Sequence, residues 1–241
     1  MAKRTAGPKV SITWYGHSAF RIEEQGGPSV LIDPWLENPN APKGAVDSVT
    51  ADLILITHGH GDHIGNAPQI AKRTGASVVA IHEVSLYLKG RGVSTAMGMN
   101  KGGTLALDGV LVTMVDAKHS STIDTGETPI PGGEAAGYVV RFGNGFTVYH
   151  AGDTAVFGDM KLIAQLYRPH VAILPIGDLY TMGPREAALA CKMLKPKHII
   201  GMHYGTFPLL TGTPAAVKKL LPHSLAQGVK ELVPGVPMGL R

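Results

Sequence analysis

The sequence predicts an α/β (α+β) chain built as a four-layer αββα sandwich, and three observations lead there. The first is an echo between its halves. Phe20-Arg21-Ile22-Glu23, a Gly-rich turn over 25–28 and Val30-Leu31-Ile32-Asp33 read as a hairpin that ends in a carboxylate. Tyr138-Val139-Val140-Arg141, a turn over 143–145 and Phe146-Thr147-Val148-Tyr149 read as another. The second observation is composition: 31 glycines and 17 prolines in 241 residues exceed the combined average of roughly 12%, which describes short strands and many turns rather than a helical bundle. The third is that the residues able to do chemistry follow apolar β-type stretches, so they gather at one edge of packed sheets.

Taken in order, each hairpin leads to an apolar strand, at Leu53–Ile56 and at Val171–Pro175. A loop and a helical pattern then follow, over 64–73 in the first half and over Pro184–Leu194 in the second. Further β-type stretches span 110–115 and 198–200. Two β-rich halves with their sheets face to face and their helices outside complete the four layers.

At 241 residues, with no low-complexity stretch or charge block to serve as a linker, residues 1–241 read as one domain. The apolar runs are strand-sized and the start Met1-Ala2-Lys3-Arg4-Thr5 is polar, so neither a membrane span nor a secretory signal is expected. The lone cysteine, Cys191, lies in a helical pattern and has no intrachain disulfide partner, which suits a buried residue in a reducing cytoplasm. Net charge is +4, but the basic residues are scattered. Lys3-Arg4, Lys72-Arg73 and Lys218-Lys219 read as solvated faces. The balance favours a small, anionic substrate by steering and supplies no support for nucleic acid.

The densest chemistry is Thr57-His58-Gly59-His60-Gly61-Asp62-His63, three histidines and a carboxylate directly after a strand. Imidazole and carboxylate suit zinc and its divalent neighbours, and the glycines let the backbone bend until several side chains converge. One loop cannot aim enough ligands for two ions. His119, Asp153 and His203 each follow a β-type stretch and are the further candidates.

With this loop followed by a distant His, Asp and His, the sequence resembles the metallo-β-lactamase superfamily along essentially its whole length. Trp14-Tyr15-Gly16-His17-Ser18, Ile32-Asp33-Pro34-Trp35 and His203-Tyr204-Gly205-Thr206-Phe207-Pro208 make it most similar to the UPF0173 metal-dependent hydrolases. More distantly it resembles ascorbate-phosphate lactonases and N-acyl-phosphatidylethanolamine phospholipases D. The resemblance implies the metallo-β-lactamase fold, with His119 joining His58 and His60 on one metal and Asp62, His63 and His203 on a second. Asp153, with two oxygens, is then the bridge that holds the ions roughly 3.5–4 Å apart. Many true β-lactamases have a cysteine at the second metal, which speaks against antibiotic hydrolysis here.

Such a centre implies a bridging hydroxide as nucleophile, with one metal polarising the carbonyl or phosphoryl oxygen of an ester, lactone, thioester or phosphodiester. Asp62 is the residue expected to orient the water or pass a proton. His17 is read equally as a substrate contact or proton donor and as a structural residue. Zinc leads among the metals; manganese, nickel, cobalt and iron accept the same donors. An iron-dependent oxidoreductase resembling persulfide dioxygenases and a non-catalytic metal-binding protein are the alternatives.

Around the centre, Tyr204, Tyr180 and Ser120 are candidate substrate contacts, each with a packing or loop-stabilising alternative. The amides ahead of Pro184 are candidates to receive a phosphate or carboxylate, or to be a simple helix cap. Asp33 supports a ligand histidine or stabilises the turn before Pro34, and His150 is either such a support or a core residue. His82, His170, His198 and His223 are read as structural or surface residues. A homo-oligomer is compatible with the resemblance.

Overall fold

A computed structural model describes residues 9–241; the polar start at Met1–Thr5 lies outside them. The first half comprises β1 (Val10–Trp14), β2 (Phe20–Glu24), β3 (Ser29–Ile32), α1 (Ala45–Ser48), β4 (Leu53–Ile56), α2 (Gly61–Ile64), α3 (Ala67–Thr74), β5 (Ser77–Ile81), α4 (His82–Gly90) and β6 (Ala96–Met99). The second begins with β7 (Thr104–Leu107), β8 (Val110–Asp116), β9 (Thr122–Ile123), β10 (Ile130–Pro131), β11 (Ala136–Arg141), β12 (Thr147–His150) and α5 (Met160–Tyr167). It continues through β13 (Val171–Pro175), α6 (Pro184–Leu194), β14 (His198–Met202), α7 (Pro214–Leu220), α8 (His223–Ala226), β15 (Val229–Lys230) and β16 (Met238–Leu240).

Two seven-stranded mixed sheets result, ordered β16-β1-β2-β3-β4-β5-β6 and β15-β14-β13-β12-β11-β8-β7. The echo between the halves is visible in the pairing. β1, β2 and β3 are antiparallel and β4 and β5 continue in parallel; β8, β11 and β12 are antiparallel and β13 and β14 continue in parallel. β3, β4, β12 and β13 are buried along their whole length, as strands covered on both faces must be. One apolar core runs through both sheets. The buried Tyr138 hydroxyl of β11 crosses between them, donating to the carbonyls of Ile56 at 2.9 Å and Val79 at 3.3 Å.

The helical pattern over 64–73 is realised chiefly as α3, its first residue, Ile64, closing the short α2. Gly65, at φ 42°, separates α2 from α3 because its α-carbon packs against the Pro34–Trp35 backbone, where a Cβ would collide. β16, which was not foreseen, returns the end of the chain to pair with β1. Among the described residues no helix is long and apolar enough to cross a membrane.

Candidate metal centre

Parallel strands deliver their C-terminal ends to one edge, and in open α/β sheets that edge is where ligands bind. Asp33 follows β3, the 57–63 loop follows β4, Asp153 comes shortly after β12 and His203 follows β14, while His119 comes shortly after β8. The structure thereby brings His58, His60, Asp62, His63, His119, Asp153 and His203 together, with His17 from the β1–β2 turn. Ligand-type atoms fall within 4.8 Å of one another in three groups: His58, His60 and His119; His17, Asp62, His63 and His203; and His58, His63 and Asp153.

Asp153 is the common point. Its Oδ2 lies 3.0 Å from His203 Nε2, 3.3 Å from His63 Nε2 and 3.7 Å from His119 Nε2. Burial alone would raise its pKa, but the charges of His63 and His203 hold the carboxyl well below the usual range. His63 is raised: burial opposes its charge, and Asp153, Asp33 and Asp62 together outweigh that.

Hydrogen bonding decides which imidazole nitrogen faces the centre. Asp33, fully buried, accepts from the Thr57 backbone at 2.8 Å, the Thr57 hydroxyl at 2.7 Å and His63 Nδ1 at 2.8 Å. The single hydroxyl proton of Thr57 is thus committed, so at 3.0 Å Thr57 Oγ1 can only accept from His58 Nδ1–H. His58 is thus left with a lone pair on Nε2, and His63, whose Nδ1 is held by Asp33, turns its Nε2 inward as well. His60 Nδ1 meets His58 Nε2 at 2.9 Å while its Nε2 faces Ser120 Oγ at 3.4 Å.

These atoms fit a cation. His63 Nε2 and Asp153 Oδ1 are buried without a hydrogen bond, which is costly unless another group satisfies them. Burial lowers the pKa of His58, His60 and His119, keeping the three imidazoles neutral as metal ligands require.

His17 is fully buried and neutral, its pKa lowered by burial. Its Nε2–H donates to Asp62 Oδ2 at 3.0 Å, so Nδ1 accepts from the Thr206 hydroxyl at 2.9 Å. Its carbonyl receives Trp14 Nε1–H and the His203 amide, tying the β1–β2 turn to the loop after β14. His17, Asp33 and His203 adopt φ of 47°, 47° and 55°, left-handed values that non-glycine residues adopt at a cost and that gather at functional sites.

The remaining candidates separate. Ser120 borders the centre, whereas its neighbour Ser121 braces the loop, receiving the Gly59 amide and donating to the Gly132 carbonyl. Tyr204 stacks on Trp14 at 5.3 Å, and burial pushes its hydroxyl up to about 12. Tyr180 is 55% exposed, and its side chain makes no hydrogen bond or ring contact with the cluster. At the start of α6 the Asp178 and Glu186 carboxylates lie beside Gly183. His150 is a core residue, holding the Ser18 carbonyl and the Gly152 amide.

Sequence reasoning gave no role to four residues: Thr57, Thr206 and the stacked Trp35–Phe207 pair beside His17. Thr57 was discoverable, since a hydroxyl next to a ligand histidine is a natural partner for its second nitrogen; the others depend on contacts distant in sequence.

Residues 11–203 match the model of the Beta-lactamase superfamily domain. A UPF0173 metal-dependent hydrolase of Koribacter versatilis is 50% identical over 88% of this chain and 91% of its own. One from Methanopyrus kandleri is 51% identical over 86% and 90%. Among solved structures, Igni18, a metallo hydrolase from Ignicoccus hospitalis, superposes with a TM-score of 0.85 at 37% identity, covering 96% of this chain and 99% of that one. With these likenesses spanning the strands and loops that build the centre, the chain belongs to the metallo-β-lactamase superfamily and, within it, to the UPF0173 metal-dependent hydrolases.

Proposed function

We propose that this metal-dependent hydrolase works with two divalent ions, zinc first among them, and cleaves an ester, lactone, thioester or phosphodiester bond in a small substrate. His58, His60 and His119 hold one ion; Asp62, His63 and His203 hold the other; Asp153 lies between. The observation that carries the reading is Asp153, with imidazoles of both groups within 3.7 Å of one carboxylate oxygen and its second oxygen buried without a partner. Two ions held there supply a hydroxide nucleophile near neutral pH and a Lewis acid for the substrate oxygen.

The chain's own residues do the rest. His17 fixes one oxygen of Asp62, leaving the other to orient the attacking water or to take its proton. His17 itself has both nitrogens engaged, which favours a positioning part over proton donation to a leaving group. Asp33 and Thr57 lock the orientation of His58 and His63, limiting the reorganisation needed at the moment of reaction. Ser120 stands at the rim as a substrate contact, Tyr180 reaches the substrate only from an outer loop, and Tyr204 is assigned to packing. We also take residues 1–241 to act as one unit in a reducing cytoplasm, in keeping with the continuous core and the buried Cys191 thiol.

The test is to purify the protein without added metal, measure its metals by elemental mass spectrometry, and assay lactones, thioesters and phosphodiesters after zinc or manganese reconstitution. About two ions per chain with turnover of one bond class is the expected result. A single iron with oxygen uptake and no hydrolysis would replace the reading with oxidoreductase chemistry.

A further inference from the structure

On its outer face the second sheet carries a pocket with a buried floor, Val139, Thr113 and Thr147, and an open rim, at the end of its strands away from the metal centre. Tyr138 turns inward to the first sheet, so by strand alternation Val139 and Arg141 face outward. The register carries that face across the sheet: Thr113 lies opposite Val139, and both Leu111 and Thr147 lie opposite Arg141. Thr147 and Arg141 stand at the end of the β11–β12 pair away from Asp153. The C-terminal end of α5 closes one side, leaving a pocket of about 400 Å³ whose walls include Leu111, Arg141, Leu166, Arg168 and His170. That volume is in the range of small-molecule sites.

Arg141, Arg168 and His170 supply the pocket's nitrogen donors, while the Thr104 and Thr113 hydroxyls bond each other at 2.8 Å. The lysine and arginine ion pairs among the described residues lie elsewhere, at Arg21, Lys101 and Lys118, so both guanidinium groups here are free. His170 Nδ1 accepts the Thr147 amide at 3.1 Å, which places its own hydrogen on Nε2. No aspartate or glutamate lines the walls. Beside these donors stand two leucines open to solvent, Leu111 at 43% and Leu166 at 70% exposure. Favourable interaction with the end of α5 accounts for Arg168; it does not account for Arg141, which projects from a sheet face.

We propose that this outer-face pocket is a second ligand site for an amphipathic anion: a carboxylate, or a sulfate or phosphate monoester, on a short hydrocarbon chain. Arg141 and Arg168 take the headgroup, as guanidinium groups do for planar and tetrahedral oxyanions, and Leu111 and Leu166 take the chain. The site is independent of the reaction assigned to the metal centre.

The experiment is a titration of zinc-reconstituted, methyl-labelled full-length protein followed by NMR, using octanoate and octyl sulfate, with 1-octanol and inorganic phosphate as controls. Saturable shifts of the Leu111, Val139 and Leu166 methyls with both anionic amphiphiles are expected. Binding should weaken about tenfold or more for 1-octanol and for the Arg141→Ala/Arg168→Ala double variant, and partly for Arg141→Lys. Arg141→Gln alone, checked by its thermal unfolding, guards against a double variant that does not fold. Equal binding of 1-octanol, unchanged binding by the arginine variants, or shifts confined to residues around the metal centre would overturn the proposal. So would methyl signals on this face that respond to protein concentration and not to octanoate, since these would mark a contact between two copies of the chain.

Discussion

Asp33 Oδ2 and His63 Nδ1 lie 2.8 Å apart, and the same oxygen receives the Thr57 hydroxyl at 2.7 Å. One buried carboxylate therefore orients two histidines of the centre, His63 directly and His58 through Thr57. Replacing Asp33 with Ala should lower zinc affinity by roughly 10–100-fold although every ligand residue is retained, because His63 and His58 lose the bonds that orient them. Competition against a fluorescent chelator measures this, and an unchanged dissociation constant would remove Asp33 from the account.

Asp153 should behave differently, because it contacts imidazoles of both groups. Asp153→Ala is expected to lose at least one ion and nearly all hydrolysis, whereas His223→Ala, on the exposed α8, should keep the full metal content. Elemental analysis of both variants decides the matter; two tightly held ions and full activity in Asp153→Ala would refute the site.

Gly177 is required by its neighbour rather than by its own backbone angles. A Cβ there would overlap the His203 carbonyl oxygen, so Gly177→Ala must displace the loop that carries His203. We expect a loss of about 1–3 kcal/mol in denaturant unfolding, together with weakened metal binding. Wild-type stability and metal content would show that the two loops adjust freely.

The Tyr138 hydroxyl, buried between the sheets, donates to carbonyls of β4 and β5. Tyr138→Phe keeps the ring and removes the donor, and should cost about 0.5–1.5 kcal/mol in stability without altering the fold. Chemical denaturation with an unchanged m-value would show that only the bond was lost; an unchanged midpoint would show that the bond contributes nothing.

Cys191 is fully buried in α6, and burial pushes its thiol up to about 12. At pH 8 the native protein should therefore react with a thiol reagent only through unfolding, at a rate that rises with denaturant. Immediate stoichiometric labelling of the native protein would contradict the burial of this helix face.

Much of this protein was legible in the order of its residues. The hairpins, the apolar strands after them, the helix at Pro184–Leu194 and the dense histidine loop are local patterns, and each occurs where the periodicity placed it. Local patterns also sufficed to nominate His119, Asp153 and His203, because each lies within three residues of a strand's end. What tertiary structure alone decided is of another kind. The contact of Gly65 with Pro34 and Trp35, which sets α2 apart from α3, joins segments far apart in the chain. So does the bond between His17 and Thr206, and so does the stacking of Tyr204 on Trp14. The left-handed backbone of His17, Asp33 and His203 is held by surrounding contacts against the preference of the residues themselves. The sequence by itself specifies which groups are available and which strand each one ends; long-range packing selects which nitrogen, which oxygen and which backbone angle each presents to the centre.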